Sequence, residues 1–388
     1  MLCTCSKHSI RRWVEKSGQA RLRQTRACFL STPARRRHLQ QEGARDVDDI
    51  GPAASRVLTT QCLSEAATNH RLKMEVLLRG SLYKDKRHPV YNFLFTYVFM
   101  NPKILFQYSP GIDSTVTGVS FADFCDDKRF PSLLADRSAD SATAHPWTLA
   151  PPPDYYTPKQ LAGFSRTLHM LRKVQNRRPL LNCFGLHEWA MLYHKLPPQG
   201  SPNEQPEVMS SQFQQLPLRV SREVIAALVE SRTLRCTHFD AFRFFTPDAV
   251  PLNSVQPPPS RDTVANNDQP GCVHVTMDMF KWAIKIFPFC SSELLFDALE
   301  LAVAAREVDM RASPYDLTVY QPPAAVGEGG LGHGMSSEPI RVELPDGQKE
   351  YQRHQEQLYR KSIAVRARLI ESYSRLLGHY SDGIVDSP

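Results

Sequence analysis

The sequence predicts a mainly α protein: a single helical domain with a few short strands and long Pro-rich loop insertions. Three observations carry this expectation. Apolar residues recur at helical spacing in several windows, alternating stretches are few and short, and 30 prolines among 388 residues break the windows apart. At 41% hydrophobic and 22% charged, the composition is that of a globular chain able to build a sizeable core.

Residues 1–65 are set apart as an organelle transit peptide and disordered linker. Residues 1–41 hold ten basic side chains and one acid, Glu15, in a stretch that also carries Ser and Thr. That composition predicts a mitochondrial address, with a plastid address or a disordered basic arm as the alternatives. The net charge of +7 belongs to this leader, because the remainder carries 37 Lys and Arg against 39 Asp and Glu. The longest apolar run, Val90 to Met100, is too short for a membrane span and includes Asn92 and Thr96. Nine cysteines at spacings unlike a disulfide framework are expected to be thiols.

Residues 66–378 are expected to form the helical domain, with helices predominating from about Leu72. Pro89 to Met100 is predicted helical and closed by Asn101-Pro102. Thr157-Pro158 is an N-cap followed by proline at the first helical position, with Leu161, Phe164, Leu168, Leu171 and Val174 as the apolar stripe and Pro179 as the stop. Helices follow at Ser221 to Val229, Met277 to Phe287, and Ser291 or Ser292 to about Met310. The longest is predicted from Glu350 to Leu377, with Gly378 as a left-handed stop. Short strands are expected at 216–220, 234–238 and 340–344. Residues 138–153, 196–215, 256–268 and 321–339 are assigned to surface insertions, and 379–388 to a disordered tail.

Two further patterns are weighed and set aside. Gly327, Gly329 and Gly332 satisfy a dinucleotide-type glycine pattern, but no strand precedes them and no helix follows, so a flexible loop is expected. Glu293, Asp297, Glu300 and Glu307 share a helix face without any Glu-x-x-His partner, so a solvated face is expected rather than a di-iron site.

Chemistry concentrates in three clusters: CFGLHEW with His187 and Glu188, RCTHFDAF with His238 and Asp240, and GCVHVTMD with His274 and Asp278. His titrates near neutral pH and a neighbouring carboxylate fixes its tautomer, so these six residues are the candidate acid/base groups. Trp189, Phe242 and Trp282 are candidates to stack a flat ligand, Lys281 sits one turn from Asp278, and Arg243 and Arg311 are candidates to hold an anion. No cofactor is expected on this reading. The alternative is zinc on Cys236, His238, Cys272 and His274, since positions i and i+2 of a strand point the same way.

Together HPVYNFLFTY (88–97), CFGLHEWAM (183–191), LPLR (216–219), RCTHFDAFRFFTP (235–247), QPGCVH (269–274), MDMFKWAIK (277–285) and REVDMRASPYDL (306–317) resemble a family of bacterial and plant-type proteins labelled 3-methyladenine DNA glycosylase. The resemblance covers roughly residues 70–375. It implies hydrolysis of the bond between deoxyribose and an alkylated purine, with Asp240, Asp278 or Glu188 as the supporting carboxylate and an aromatic slot for the extruded base. DNA or a small aromatic ligand is the expected partner. Two other readings stay open: an enzyme or binding protein for a small nucleobase-like molecule, with or without metal, and a noncatalytic helical scaffold.

Overall fold

A computed structural model describes residues 57–78, 82–98, 101–131, 146–196, 216–321 and 335–381, and the remaining positions are outside that description. The leader, the Gly327–Gly332 pattern and most of the predicted insertions at 196–215 and 321–339 therefore lie outside the described residues. The described chain is mainly helical, as the sequence predicts.

In chain order the helices are α1 (Thr60–Leu77), α2 (Tyr91–Val98), α3 (Phe121–Asp126), α4 (Pro158–Gln175), α5 (Leu186–Ala190), α6 (Arg222–Ser231), α7 (Phe239–Phe242), α8 (Val264–Asn267), α9 (Val273–Lys285), α10 (Ser292–Ala312) and α11 (Pro345–Gly378). The centre is the hairpin of α9 and α10, against which α11 packs, and α4 packs on α11 in turn. Helix α11 has 34 residues, a rod of about 51 Å at 1.5 Å per residue. Leu294, Leu295, Ala298, Leu299, Ala302 and Ala305 of α10 are buried, and the alternation of large and small side chains lets α9 and α11 approach.

Local chemistry accounts for the helix starts. Thr157 Oγ1 accepts from the Gln160 N–H at 3.3 Å while Gln160 Oε1 accepts from the Thr157 N–H at 2.9 Å, closing a capping box at the predicted start of α4. Ser291 Oγ accepts from the Leu294 N–H at 3.2 Å and caps α10. His88 is buried and its Nδ1 accepts from the N–H groups of Val90 and Tyr91, which moves the start of α2 two residues past Pro89.

Several expectations change. Helix α9 begins at Val273, a turn before Met277, so His274 and Asp278 lie on one helix at a spacing of four. Helix α11 begins at Pro345 and runs through Gly378 to a right-handed cap at His379, so Gly378 is no left-handed stop. The predicted strands at 216–220 and 234–238 reduce to isolated bridges, Leu218 with Tyr315 and Leu234 with Asn253, and 340–344 joins no ladder among the described residues, although the Ile340 N–H donates to the Arg311 carbonyl at 2.8 Å. Alternation without a neighbouring strand to pair with makes no ladder. The sheet lies elsewhere: β1 (Val57–Thr59) is parallel to β2 (Thr115–Thr117), which is antiparallel to β3 (Trp147–Thr148). Thus β1, the first six residues of α1 and buried Leu63 fall inside the stretch assigned to the leader and linker. Residues 146–153 and 256–268 are not loose insertions either, because Leu149 is buried and α8 packs on α4. In the assigned tail, Tyr380 is buried and donates to the Pro152 carbonyl at 3.0 Å. The acidic stripe is only partly solvated: Asp297 pairs with Arg368, and Glu307 accepts from the Ser336 N–H.

Leu299→Ala, at the fully buried middle of α10, is expected to cost about 2–5 kcal/mol through lost contacts and a residual cavity, read as a lower urea midpoint.

Candidate functional site

The three sequence clusters meet. The His187 and His274 ring centroids are 4.5 Å apart edge to face, and those of His274 and His238 are 5.2 Å apart and stacked. Each ring arrives differently: His187 from α5, His238 from the residue capping α7, and His274 from the first turn of α9.

A backbone device aims α5. Phe184 and Gly185 both take positive φ, +50° and +67°, and Gly185 caps the helix. A Cβ on Gly185 would come within 3.3 Å of Ala312 and Tyr351, so a side chain here would crowd α10 and α11 as well as strain the left-handed backbone. Phe184 in this region is strained, and the packed surroundings hold it there.

At the inner end of the histidine row, His187 Nε2 lies 2.7 Å from Asp309 Oδ1. Arg306, with no exposed surface, donates to Asp309 and to Glu188 Oε1, the latter at 2.7 Å, and its guanidinium lies 3.9 Å over the Phe93 ring. Burial pushes the Asp309 carboxyl upward, but His187 and Arg306 outweigh it and hold the group well below the usual carboxylate range. Burial, with the neighbouring His187, pushes His274 well below the usual imidazole value, so this ring is neutral.

At the outer end, His238 Nε2 lies 3.2 Å from Asp278 Oδ2. Asp278 Oδ1 accepts from the Tyr97 hydroxyl at 2.6 Å and pairs with Lys281 Nζ at 2.7 Å. Tyr97 also reaches Asp240 Oδ2 at 3.0 Å, and Asp240 Oδ1 pairs with Arg243 Nε at 3.2 Å. Burial opposes the charge on Asp278, yet Lys281 and His238 outweigh it and depress its pKa below the ordinary carboxylate value. Burial likewise opposes the His238 imidazolium, and Asp268 and Asp278 reverse the balance so that its pKa rises. Asp268 is buried without a comparable cation, and its carboxyl is pushed up to about 7.

The outer end opens into a cleft of about 1040 Å³ between α4, the 261–265 segment and α9. His238, Asp240, Asp278, Lys281 and Trp282 line it, with Phe239, Arg166, Arg261 and Lys285. The Trp282 ring has Lys281 Nζ and Lys285 Nζ each 4.5 Å from its centroid. Arg166, Arg261 and Lys285 have no ion-pair partner among the described residues.

The structure divides the candidates. Asp240 is the accessible carboxylate, its side chain 32% exposed. Glu188 is sealed against Arg306, remote from the cleft lining. Trp189 has no exposed surface and donates its indole N–H to the Ala312 carbonyl, so it is core and not a stacking surface. Phe242 packs against the core and Phe245, and Arg311 is engaged by Glu350 and the Glu338 carbonyl. Neither lines the cleft. Of the four residues weighed for zinc, Cys236, Cys272 and His274 border one small cavity of about 20 Å³ and His238 stacks on His274, but the four do not form a group with three donor atoms within 4.8 Å among the described residues. The 235–238 segment is not a strand, which removes the reason for Cys236 and His238 to point together. Among the described residues, two groups place three donor atoms within 4.8 Å of one another: His187, His274 and Asp309, and His238, Asp268 and Asp278.

Sequence reasoning missed Tyr97, Asp268, Arg306 and Asp309. Tyr97 ends a quoted motif, and Arg306 with Asp309 opens another at helical i, i+3 spacing, a pairing that was legible. No local pattern marks Asp268.

No protein-family model, curated protein or solved structure matches this chain.

Arg306→Met leaves Glu188 and Asp309 buried without their cation and is expected to cost about 3–5 kcal/mol in a denaturant titration. His274 has a second readout. A histidine with lowered folded pKa binds fewer protons folded than unfolded, so it removes stability as pH falls below its ordinary 6.5. The melting temperature of wild type is expected to fall more steeply than that of His274→Gln from about pH 7 to about pH 5.

Proposed function

We propose that the chain hydrolyses the N-glycosidic bond of alkylated purines in DNA, with Asp240 as the working carboxylate. The observation that carries this reading is a partly exposed Asp240 on an open cleft that also presents the Trp282 ring and Arg166, Arg261 and Lys285, three cations with no ion-pair partner among the described residues. An alkylated purine is already cationic and leaves readily, so the protein's task is to hold the base, support positive charge developing on the sugar, and position water. Asp240 faces the cleft with Arg243 and Tyr97 fixing its two oxygens. Asp278 has both oxygens engaged by Tyr97, Lys281 and His238, which suits it to positioning Lys281 and Tyr97. Arg166, Arg261 and Lys285 supply phosphate contacts of the kind that orient a nucleic-acid backbone. Trp282 offers a ring for the extruded base.

One observation favours a second reading. Asp240, Asp262 and Asp278 share the cleft with its cations, so the field is mixed rather than uniformly positive. A small nucleobase-like ligand bearing both polar edges and a phosphate suits such a surface.

Wild-type full chain is expected to release alkylated bases from methylated duplex DNA, and Asp240→Asn to slow release by about 10²–10⁴-fold. Trp282→Ala is expected to raise KM more than it lowers kcat. Equal release by wild type and Asp240→Asn would exclude Asp240 as the working carboxylate, and no release by wild type would exclude the glycosidic reading. Tight binding of free nucleotides without base release would favour the second.

A further inference from the structure

We propose that His238, Asp268 and Asp278 form a binding site for one divalent first-row cation at the inner wall of the cleft. Each contributes a donor atom, all lie within 4.8 Å of one another, and all three residues are buried. His238 Nε2 and Asp278 Oδ2 are 3.2 Å apart. Two donors bonded to a common ion at about 2.1 Å stand about 3.0–3.4 Å apart, so this pair needs almost no movement to share an ion.

Clustered carboxylates alone are a weak signal. The second observation is that Asp268 Oδ1 has no hydrogen-bond partner among the described residues, on a residue only 1% exposed. A buried carboxylate oxygen without a donor is costly, and a cation is the group that satisfies it.

The surroundings are arranged as around a ligating carboxylate. Tyr97 and Lys281 occupy Asp278 Oδ1, which leaves Oδ2 turned toward the imidazole. An incoming cation competes with Lys281 for Asp278 and with the field of Arg177 at Asp268. His238 and Asp278 line the cleft, which is the entry path. The other group, His187, His274 and Asp309, contributes no residue to the cleft lining, and Arg306, without exposed surface, donates to Asp309. One imidazole with two carboxylates suits Mn²⁺ or Zn²⁺ better than the thiol-rich set weighed from the sequence suits either in this fold.

This inference does not rest on the glycosidic reading. The test is a titration of chelator-treated full chain with MnCl₂, following free Mn²⁺ by electron paramagnetic resonance. One ion per chain is expected, displaced by Zn²⁺, and wild type is expected to melt at a higher temperature with Mn²⁺ than without. Asp268→Asn, which keeps the side-chain shape, is expected to weaken binding by more than about 10-fold and to lose the Mn²⁺-dependent rise in melting temperature. His238→Gln, on a separate element, is expected to do the same, while Cys236→Ser binds as wild type. Circular dichroism confirms that each variant is folded. No Mn²⁺ uptake by wild type, undiminished binding by Asp268→Asn, or loss confined to Cys236→Ser would overturn the assignment.

Discussion

A guanidinium without access to water must be surrounded by carboxylates, and much of this site follows from how Arg306 meets that requirement. The residue projects from the central helix α10, where it faces Glu188 of α5, Asp309 one turn away on its own helix, and the Phe93 ring of α2. Three elements distant in sequence are therefore held by one cation. Because Asp309 is shared with His187, the same charge pair also orients the first ring of the histidine row. Removing a member strands the rest in a medium that cannot solvate them, which is why such a network is sensitive to loss of one partner even where its net stabilisation is small.

From that anchor the polar groups run outward without a break: Asp309, His187, His274, His238, Asp278, Tyr97, Lys281 and Asp240. The inner members are sealed and their charges are matched. The outer members border the cleft, and Asp240 is partly exposed. A neutral His274 between two charged ends keeps the row from accumulating positive charge in the interior.

Two parts of this arrangement have different standing as physics. The Arg306 network is complete enough to be read as structure, although the Nε and one terminal nitrogen of Arg306 lack partners. The His238, Asp268 and Asp278 group is incomplete by the same accounting, and it lies where the cleft gives a ligand access. Unsatisfied polar atoms beside a cleft point toward binding, whereas those sealed in a core point toward strain.

Helix existence was legible in the sequence, because the 3.6-residue period and the Thr157-Pro158 and Ser291 caps are local properties of the chain. Of the six candidate acid/base residues read from the sequence, His187, His238, Asp240, His274 and Asp278 gather in one row, while Glu188 joins only through Arg306. Tertiary structure alone decided which neighbours each residue received. Trp189 and Trp282 look alike in sequence, yet one closes against α10 and the other lines a cleft. Cys236 and His238 part because their segment is not a strand. Asp268 joins the site from a loop that carries no local signal. Periodicity is set by backbone geometry within a few residues, whereas burial and pairing depend on contacts between segments more than a hundred residues apart, and no local pattern encodes those.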